Sequence, residues 1–223
     1  MSVRRALLWT TSERYVGLLL NFVLIVVLSR LLTPAEIGVM QLGLIVMLLT
    51  ETLRDGGIGA YLVQKRELDP ADVRTAFTFA LLFSAIAAVL IFVCAGSIAA
   101  AYDEPGLQSF LHVLAPTFLL APFWGLPIAL MRREMAFGNV AFVNVTGWLL
   151  NVVAITTLAL LGFSYMSAAW AAWVSGVGCI ALGLWVRPDP SSFRISVQGS
   201  RSVLAFGGYS VCLLYTSPSP RDS

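Results

Sequence analysis

The sequence predicts an all-α integral membrane protein with six transmembrane helices and the start of a seventh. Three observations lead there. The 223 residues are 58% hydrophobic and only 12% charged, too few charges to clothe a soluble domain of this length. The apolar residues fall into runs of about 20, the length at which a helix crosses a bilayer's hydrocarbon. Between those runs the basic residues gather on alternate loops, as in a chain that crosses repeatedly.

The first span, about 12–32, contains Tyr15 to Leu32, interrupted only by Asn21 and Ser29–Arg30. Thr33 then reads as a helix cap, Pro34 as a first helical residue and Glu36 as the partner that closes a capping box. A second span therefore starts at once, and the pair forms a membrane hairpin. Span two runs from about 36 towards 63. Its second half is unusual, with Glu51, Arg54 and Asp55 followed by Gly56–Gly57–Ile58–Gly59. After a charged loop at 64–68, Asp69–Pro70–Ala71–Asp72 repeats the cap grammar and opens span three, about 73–101. Span four, about 107–131, carries Pro116, Pro122 and Pro127. Each removes a backbone donor and crowds the preceding turn, so this helix is bent or broken. Span five covers about 138–161, and a tight turn at Gly162–Phe163–Ser164 leads into span six, about 165–186. A polar linker, 187–200, precedes the seventh helix from about 201.

Residues 1–211 thus read as one transmembrane lobe. Residues 212–223 stop an apolar segment in mid-span with a Pro/Ser-rich run. That run resembles translated sequencing-adaptor sequence and reads as a non-native scar. The alternative is a native tail.

Six spans allow the positive-inside rule to be applied. Of the 14 Lys and Arg residues, eleven fall on one side: Arg4, Arg5, Arg14, Lys65, Arg66, Arg74, Arg132, Arg133, Arg187, Arg194 and Arg201. The other side has Arg30. The amino terminus is therefore expected in the cytoplasm, with loops 33–35, 102–106 and 162–164 outside. Arg4–Arg5 leads into a long span without a small-residue cleavage site, so that span is expected to be retained.

Nothing in the sequence argues for an enzyme. There is no Ser-His-Asp set, metal-ligand spacing or phosphate loop, and neither a cofactor nor a nucleic-acid partner is expected. Cys94 and Cys179 lie in apolar runs and read as small core residues. His112, the single histidine, reads as a packed residue near the outer end of span four.

Several polar residues could carry function. Thr10, Arg14, Gly17 and Asn21 share one face of the first helix. In lipid such a stripe must turn to a neighbouring helix or a wet cavity. Arg14 either grips phosphate oxygens there or snorkels to head groups at the membrane edge. Glu51, Arg54 and Asp55 are one turn apart or adjacent. They form either an intramembrane functional cluster or a self-neutralised one at the helix end. Asn144, Gly147, Asn151 and Ala154 form a second stripe, lining a cavity or bonding between helices. Asn144–Val145–Thr146 matches a glycosylation sequon, which its place inside a span excludes. The small residues Ala80, Ser84 and Ala88, like Ala168, Ala172 and Gly176, read as packing faces.

Two stretches resemble a known family. LSRLLTPAEIG at 28–38 is similar to the first hairpin of bacterial polysaccharide-transport flippases, and RDGGIGAYLVQK at 54–65 to a second motif of theirs. The resemblance covers about 1–211. It implies an amino-terminal fragment of an oligosaccharidyl-lipid flippase of the multidrug/oligosaccharidyl-lipid/polysaccharide exporter superfamily. Such proteins have two lobes of at least six helices around a cavity that opens alternately to each side of the bacterial inner membrane. Their substrates are polyprenyl-diphosphate-linked oligosaccharides for lipopolysaccharide, exopolysaccharide or capsule. Polymerases and glycosyltransferases are the implied protein partners, besides the membrane lipids. Arg30, with Pro34 and Gly38, falls in the hairpin motif at the outer rim, where a hairpin or gating role follows. On helix faces, Arg14 and Arg54 are the first candidates for phosphate contacts. Asn21, Asn144 and Asn151 are the candidates for sugar hydroxyls.

Two rivals remain. A cation-coupled multidrug exporter of the same superfamily would favour a carboxylate in the membrane part of span one, where Asn21 stands. A non-transporting scaffold for polysaccharide enzymes would not need cavity-facing polar stripes.

Overall fold

The computed structural model describes residues 3–55, 58–65, 68–189 and 193–196. Among them the chain forms α1 (Val3–Leu31), α2 (Pro34–Asp55), α3 (Ile58–Gln64), α4 (Pro70–Ala101) and α5 (Pro105–Leu114). A 3₁₀ segment (Ala115–Leu120), α6 (Ala121–Arg133), α7 (Phe137–Leu160) and α8 (Met166–Val186) follow. No strand occurs among the described residues. Six stretches are long and apolar enough to span a membrane, with α5, the 3₁₀ segment and α6 together making the fourth. The protein is an all-α, multi-pass membrane protein.

Local chemistry sets the boundaries. Thr33 and Glu36 form the expected capping box: the Thr33 N–H and hydroxyl donate to Glu36 Oε2 at 2.7 and 2.8 Å. The Glu36 N–H returns to Thr33 Oγ1 at 3.4 Å. Asp69, Pro70 and Asp72 open α4 in the same way, with the Asp69 N–H on Asp72 Oδ2 at 3.0 Å. α7 closes on Gly162, at φ 88°. There the Phe163 N–H reaches back to the Leu158 carbonyl at 3.0 Å and the Gly162 N–H to that of Ala159 at 3.1 Å. That pairing needs a left-handed residue, which glycine supplies without strain.

One expected boundary changes. α1 begins at Val3, so its spanning part, Leu7–Leu31, takes in residues read as preceding the membrane. Span two, expected to run towards 63, is described as α2 up to Asp55 and α3 from Ile58, on either side of Gly56–Gly57, which lie outside the described residues. The run expected to hold the start of a seventh helix and the scar, 201–223, also lies outside them.

The fourth span is the hub. In its most apolar stretch 61% is buried, against 22% or less in every other span. It packs on α4 at one side and α8 at the other; α2 lies on α5, and α1 lies on α7, which lies on α8. The prolines break this helix as expected, and the neighbours compensate. In 3₁₀ geometry the Val113 carbonyl would take the N–H of Pro116, which has none. Trp173 Nε1 donates to it instead, at 2.9 Å, and Thr117 Oγ1 takes the next carbonyl, Leu114, at 2.6 Å.

Packing differs between the two ends. The half beneath the turns at 32–33, 102–104 and 161–165 holds the main core, including Leu28, Val39, Ile91, Phe110, Leu111 and Phe118. Ser164 Oγ donates to Glu36 Oε1, joining the first hairpin to the last turn. Gly43 on α2 lies so close to the buried Phe110 ring that an added Cβ would overlap it. His112 stacks on Phe92 with centroids 4.5 Å apart, a packed histidine as expected. Of the two cysteines among the described residues, Cys179 packs against Gly147. Cys94 is exposed on α4 rather than in the core, because it falls on the helix face turned from the hub. The opposite, basic end carries Lys65, Arg132, Arg133 and Arg187 and holds only smaller apolar clusters. Phe193, from the linker after α8, packs there against Phe77 and Phe123 with centroids 5.3 and 5.7 Å away.

Since Phe110 has no room to move, Gly43→Ala should destabilise the bundle by about 1–3 kcal/mol, the usual range for overpacking. Thermal unfolding of the purified protein in detergent measures this, and an unchanged midpoint would contradict the close α2–α5 contact.

Candidate functional site

Two hollows collect most of the polar residues singled out from the sequence. The first is a groove of about 380 Å³ between α1 and α7, walled by Arg14, Gly17, Asn21, Trp148 and Asn151. Arg14 and Asn21 project from the exposed side of α1. Gly17 lets the Trp148 indole lie against the helix; a Cβ there would stand 2.6 Å from Cζ3. Asn151 also donates from Nδ2 to Ser175 Oγ on α8 at 3.2 Å, one of the interhelical bonds expected of this stripe.

The second hollow is a cavity of about 520 Å³ in the basic half, enclosed by α2, α3, α4, α6 and α7. Glu51, Phe77, Ser84, Trp124, Arg132 and Asn144 are among its walls. Asn144 Nδ2 donates to Glu13 Oε1 on α1 at 2.7 Å, so this asparagine both lines the cavity and ties α1 to α7. Ala80 and Ser84, read as packing residues, line the cavity too; only Ala88 of that trio joins the apolar core.

The structure therefore separates the candidates: Arg14, Asn21 and Asn151 share the groove, while Glu51 and Asn144 share the cavity. Arg54 and Asp55 are the last residues of α2, and their side chains lie outside the described residues. Arg30, Pro34 and Gly38 stand at the turn end, all exposed and away from both hollows.

Glu13 is the residue that sequence reasoning missed. Its signal was present, because Leu7, Leu8 and Trp9 extend the apolar run before it. Its partner on α7 became visible only with the α1–α7 pairing. A second omission is a cluster at the basic end. Lys65 Nζ pairs with Asp72 Oδ2 at 2.7 Å and donates to Tyr61 Oη at 3.2 Å. Arg133 reaches from the end of α6 to cap α3, donating to the Leu62 and Lys65 carbonyls at 2.9 and 2.5 Å. These carbonyls end a helix whose dipole favours a cation. Arg187 binds Glu134 at 2.5 Å beside it. The basic residues of this end thus lock the short α3 onto α4 and α6.

Such a bundle, with polar hollows between membrane-spanning helices, defines the class: a polytopic membrane protein. The chain belongs to the family described as "Polysaccharide biosynthesis protein", whose model matches residues 27–216. Among its relatives, "Lipopolysaccharide biosynthesis protein WzxC" of Escherichia coli (strain K12) is 22% identical over 169 residues, covering 72% of this chain and 34% of the relative. "Succinoglycan biosynthesis transport protein ExoT" of Rhizobium meliloti (strain 1021) is 25% identical over 166 residues, covering 74% and 34%. An "Uncharacterized membrane protein in cps region" of Klebsiella pneumoniae is 24% identical over 149 residues, covering 65% and 31%. The chain spans about a third of the length of these relatives. No solved structure matches it.

The hydrogen bond that Lys65 donates to Asp72 is the largest influence raising the Lys65 pKa above its ordinary value. A raised folded-state value means that the pairing contributes fully below the unfolded lysine pKa of about 10.4. It is lost as pH rises through the higher folded value. Asp72→Asn should therefore lower the unfolding midpoint at neutral pH, and the gap to the wild type should close only in strongly alkaline buffer. A gap that closed between pH 6 and 8 would contradict the Lys65 pairing as its source.

Proposed function

We propose that the chain is part of a flippase that moves polyprenyl-diphosphate-linked oligosaccharide across the bacterial inner membrane, for lipopolysaccharide, exopolysaccharide or capsule. The observation that carries the reading is the asymmetry of the bundle: a cavity in the basic half beneath a turn half closed by packing. With the basic loops in the cytoplasm, this is a lobe open to the side on which such lipids are made. Alternating access then requires the turn half to part while the basic half closes, with a second lobe supplied by sequence outside this chain. Arg14 and Arg54 offer guanidinium groups for the diphosphate, and Asn21, Asn144 and Asn151 offer amides for sugar hydroxyls. The lipid tail stays in the bilayer, so the protein need shelter only the head group, whose charge cannot cross hydrocarbon unaided. Polymerases and glycosyltransferases of the same pathway are the protein partners this role implies.

Glu13 favours a second reading. A carboxylate does lie within the first span, bonded to Asn144, so the absence expected to count against a cation-coupled exporter does not hold. Coupling at Glu13 would make transport depend on the cation gradient, and Glu13→Gln would remove that dependence.

Full-length protein carrying Arg14→Ala or Arg54→Ala should insert normally in a flippase-deficient strain. Each should export less polymer by roughly tenfold or more, as befits loss of charge-assisted bonds. Normal polymer from both variants would overturn these phosphate contacts.

A further inference from the structure

We infer that the cavity of the basic half is a sugar subsite and that Ser84 is one of its hydrogen-bonding groups. This rests on the flippase reading and deepens it. Ser84 is 1% exposed, and its hydroxyl has no hydrogen-bond partner. A hydroxyl inside a helix usually turns back to the carbonyl four residues earlier. In the same helix Thr75 does so to Ala71 at 2.9 Å and Thr78 to Arg74 at 2.8 Å. Ser84 instead stands at the cavity wall, the lining residue furthest along α4 from its start. A buried donor without a partner awaits a ligand or a water.

The other walls fit a neutral sugar. Trp124 supplies flat apolar surface for the C–H face of a pyranose, while Asn144 and Ser84 supply polar contacts for its hydroxyl edge. A volume of about 520 Å³ falls within the usual range for small-molecule sites, about 300–1,000 Å³. Glu51 lines the cavity too, and Arg132, another lining residue, is exposed at the basic end. The groove holding Arg14 is walled by the same two helices, α1 and α7. Glu13 and Arg14, adjacent in sequence, connect the two hollows: one bonds the cavity's Asn144 and the other walls the groove.

The test uses full-length protein with its other cysteines replaced and Ser84→Cys introduced. Inverted inner-membrane vesicles are treated with 2-sulfonatoethyl methanethiosulfonate. One set comes from a strain that makes the lipid-linked repeat unit the protein exports, the other from a strain lacking the first sugar-phosphate transferase. Labelling should be several-fold slower where the lipid-linked sugar is present. Equal rates, or no labelling in either set, would overturn the subsite. In parallel, Ser84→Ala should cut polymer export about fivefold, the worth of one neutral hydrogen bond. Ser167→Ala should leave it unchanged, because the Ser167 hydroxyl is equally buried and unpartnered but lines neither hollow. Equal export by Ser84→Ala and Ser167→Ala at matched membrane levels would also overturn it. If Arg14→Ala still abolishes export in that case, the flippase reading stands without this subsite; if Arg14→Ala exports normally, the flippase reading falls first.

Discussion

Hydrocarbon offers no hydrogen bonds, and this lobe is organised around one helix that cannot meet its own needs. Three prolines in the fourth span free backbone carbonyls that lipid could not satisfy. Such a helix is tolerable only where other protein surrounds it, and its burial reflects that. Trp173 of α8 supplies the donor for Val113, and Thr117 supplies one for Leu114. The placement of α4 and α8 on opposite sides of the break follows from the same requirement. The remaining spans carry no proline beyond their first residue, so they can face lipid on one side.

Side-chain size then divides the bundle. At the turn half, Gly43, Ala95, Ala99, Ala115 and Ala169 bring backbones close around Phe110 and Leu111. In membranes close approach is a main source of helix association, since lipid tails are as apolar as the side chains they replace. The basic half has larger and more polar walls, Glu51, Trp124 and Asn144, and the helices there do not close. Arg133 and the Lys65–Asp72 pair hold α3 at that end through polar contacts rather than apolar packing. A half held by exchangeable polar contacts rearranges more readily than one closed by an interlocked core.

Much of this was legible in the sequence, for local reasons. Span number, the Thr33–Glu36 and Asp69–Asp72 caps, the Gly162 turn and the break in span four depend on residues within one or two turns of each other. The end of α2 was less legible, because Ile58 to Gln64 continues the apolar pattern and gives no sign that it belongs to another helix. The stripes on α1 and α7 were read as faces without knowing what each face meets. Pairing α1 with α7 set Asn144 on Glu13 and left Arg14 and Asn21 in a separate groove. Ser84 was read as packing because a small residue among alanines has the same pattern whether it fills a contact or lines a void. Distinguishing the two requires the neighbouring helix.

The arrangement of charge gives the two hollows different chemistry. Consecutive helix residues point about 100° apart, so Glu13 and Arg14 meet different groups. The acid faces α7 and the cavity wall, while the guanidinium faces the groove. Glu51 adds a second carboxylate on the cavity side. Charges in a poorly solvated region act on one another more strongly than in water, so each hollow favours groups that complement its own walls. Beyond the groove, the exposed side of α1 is apolar, with Leu18, Phe22 and Ile25 facing outward.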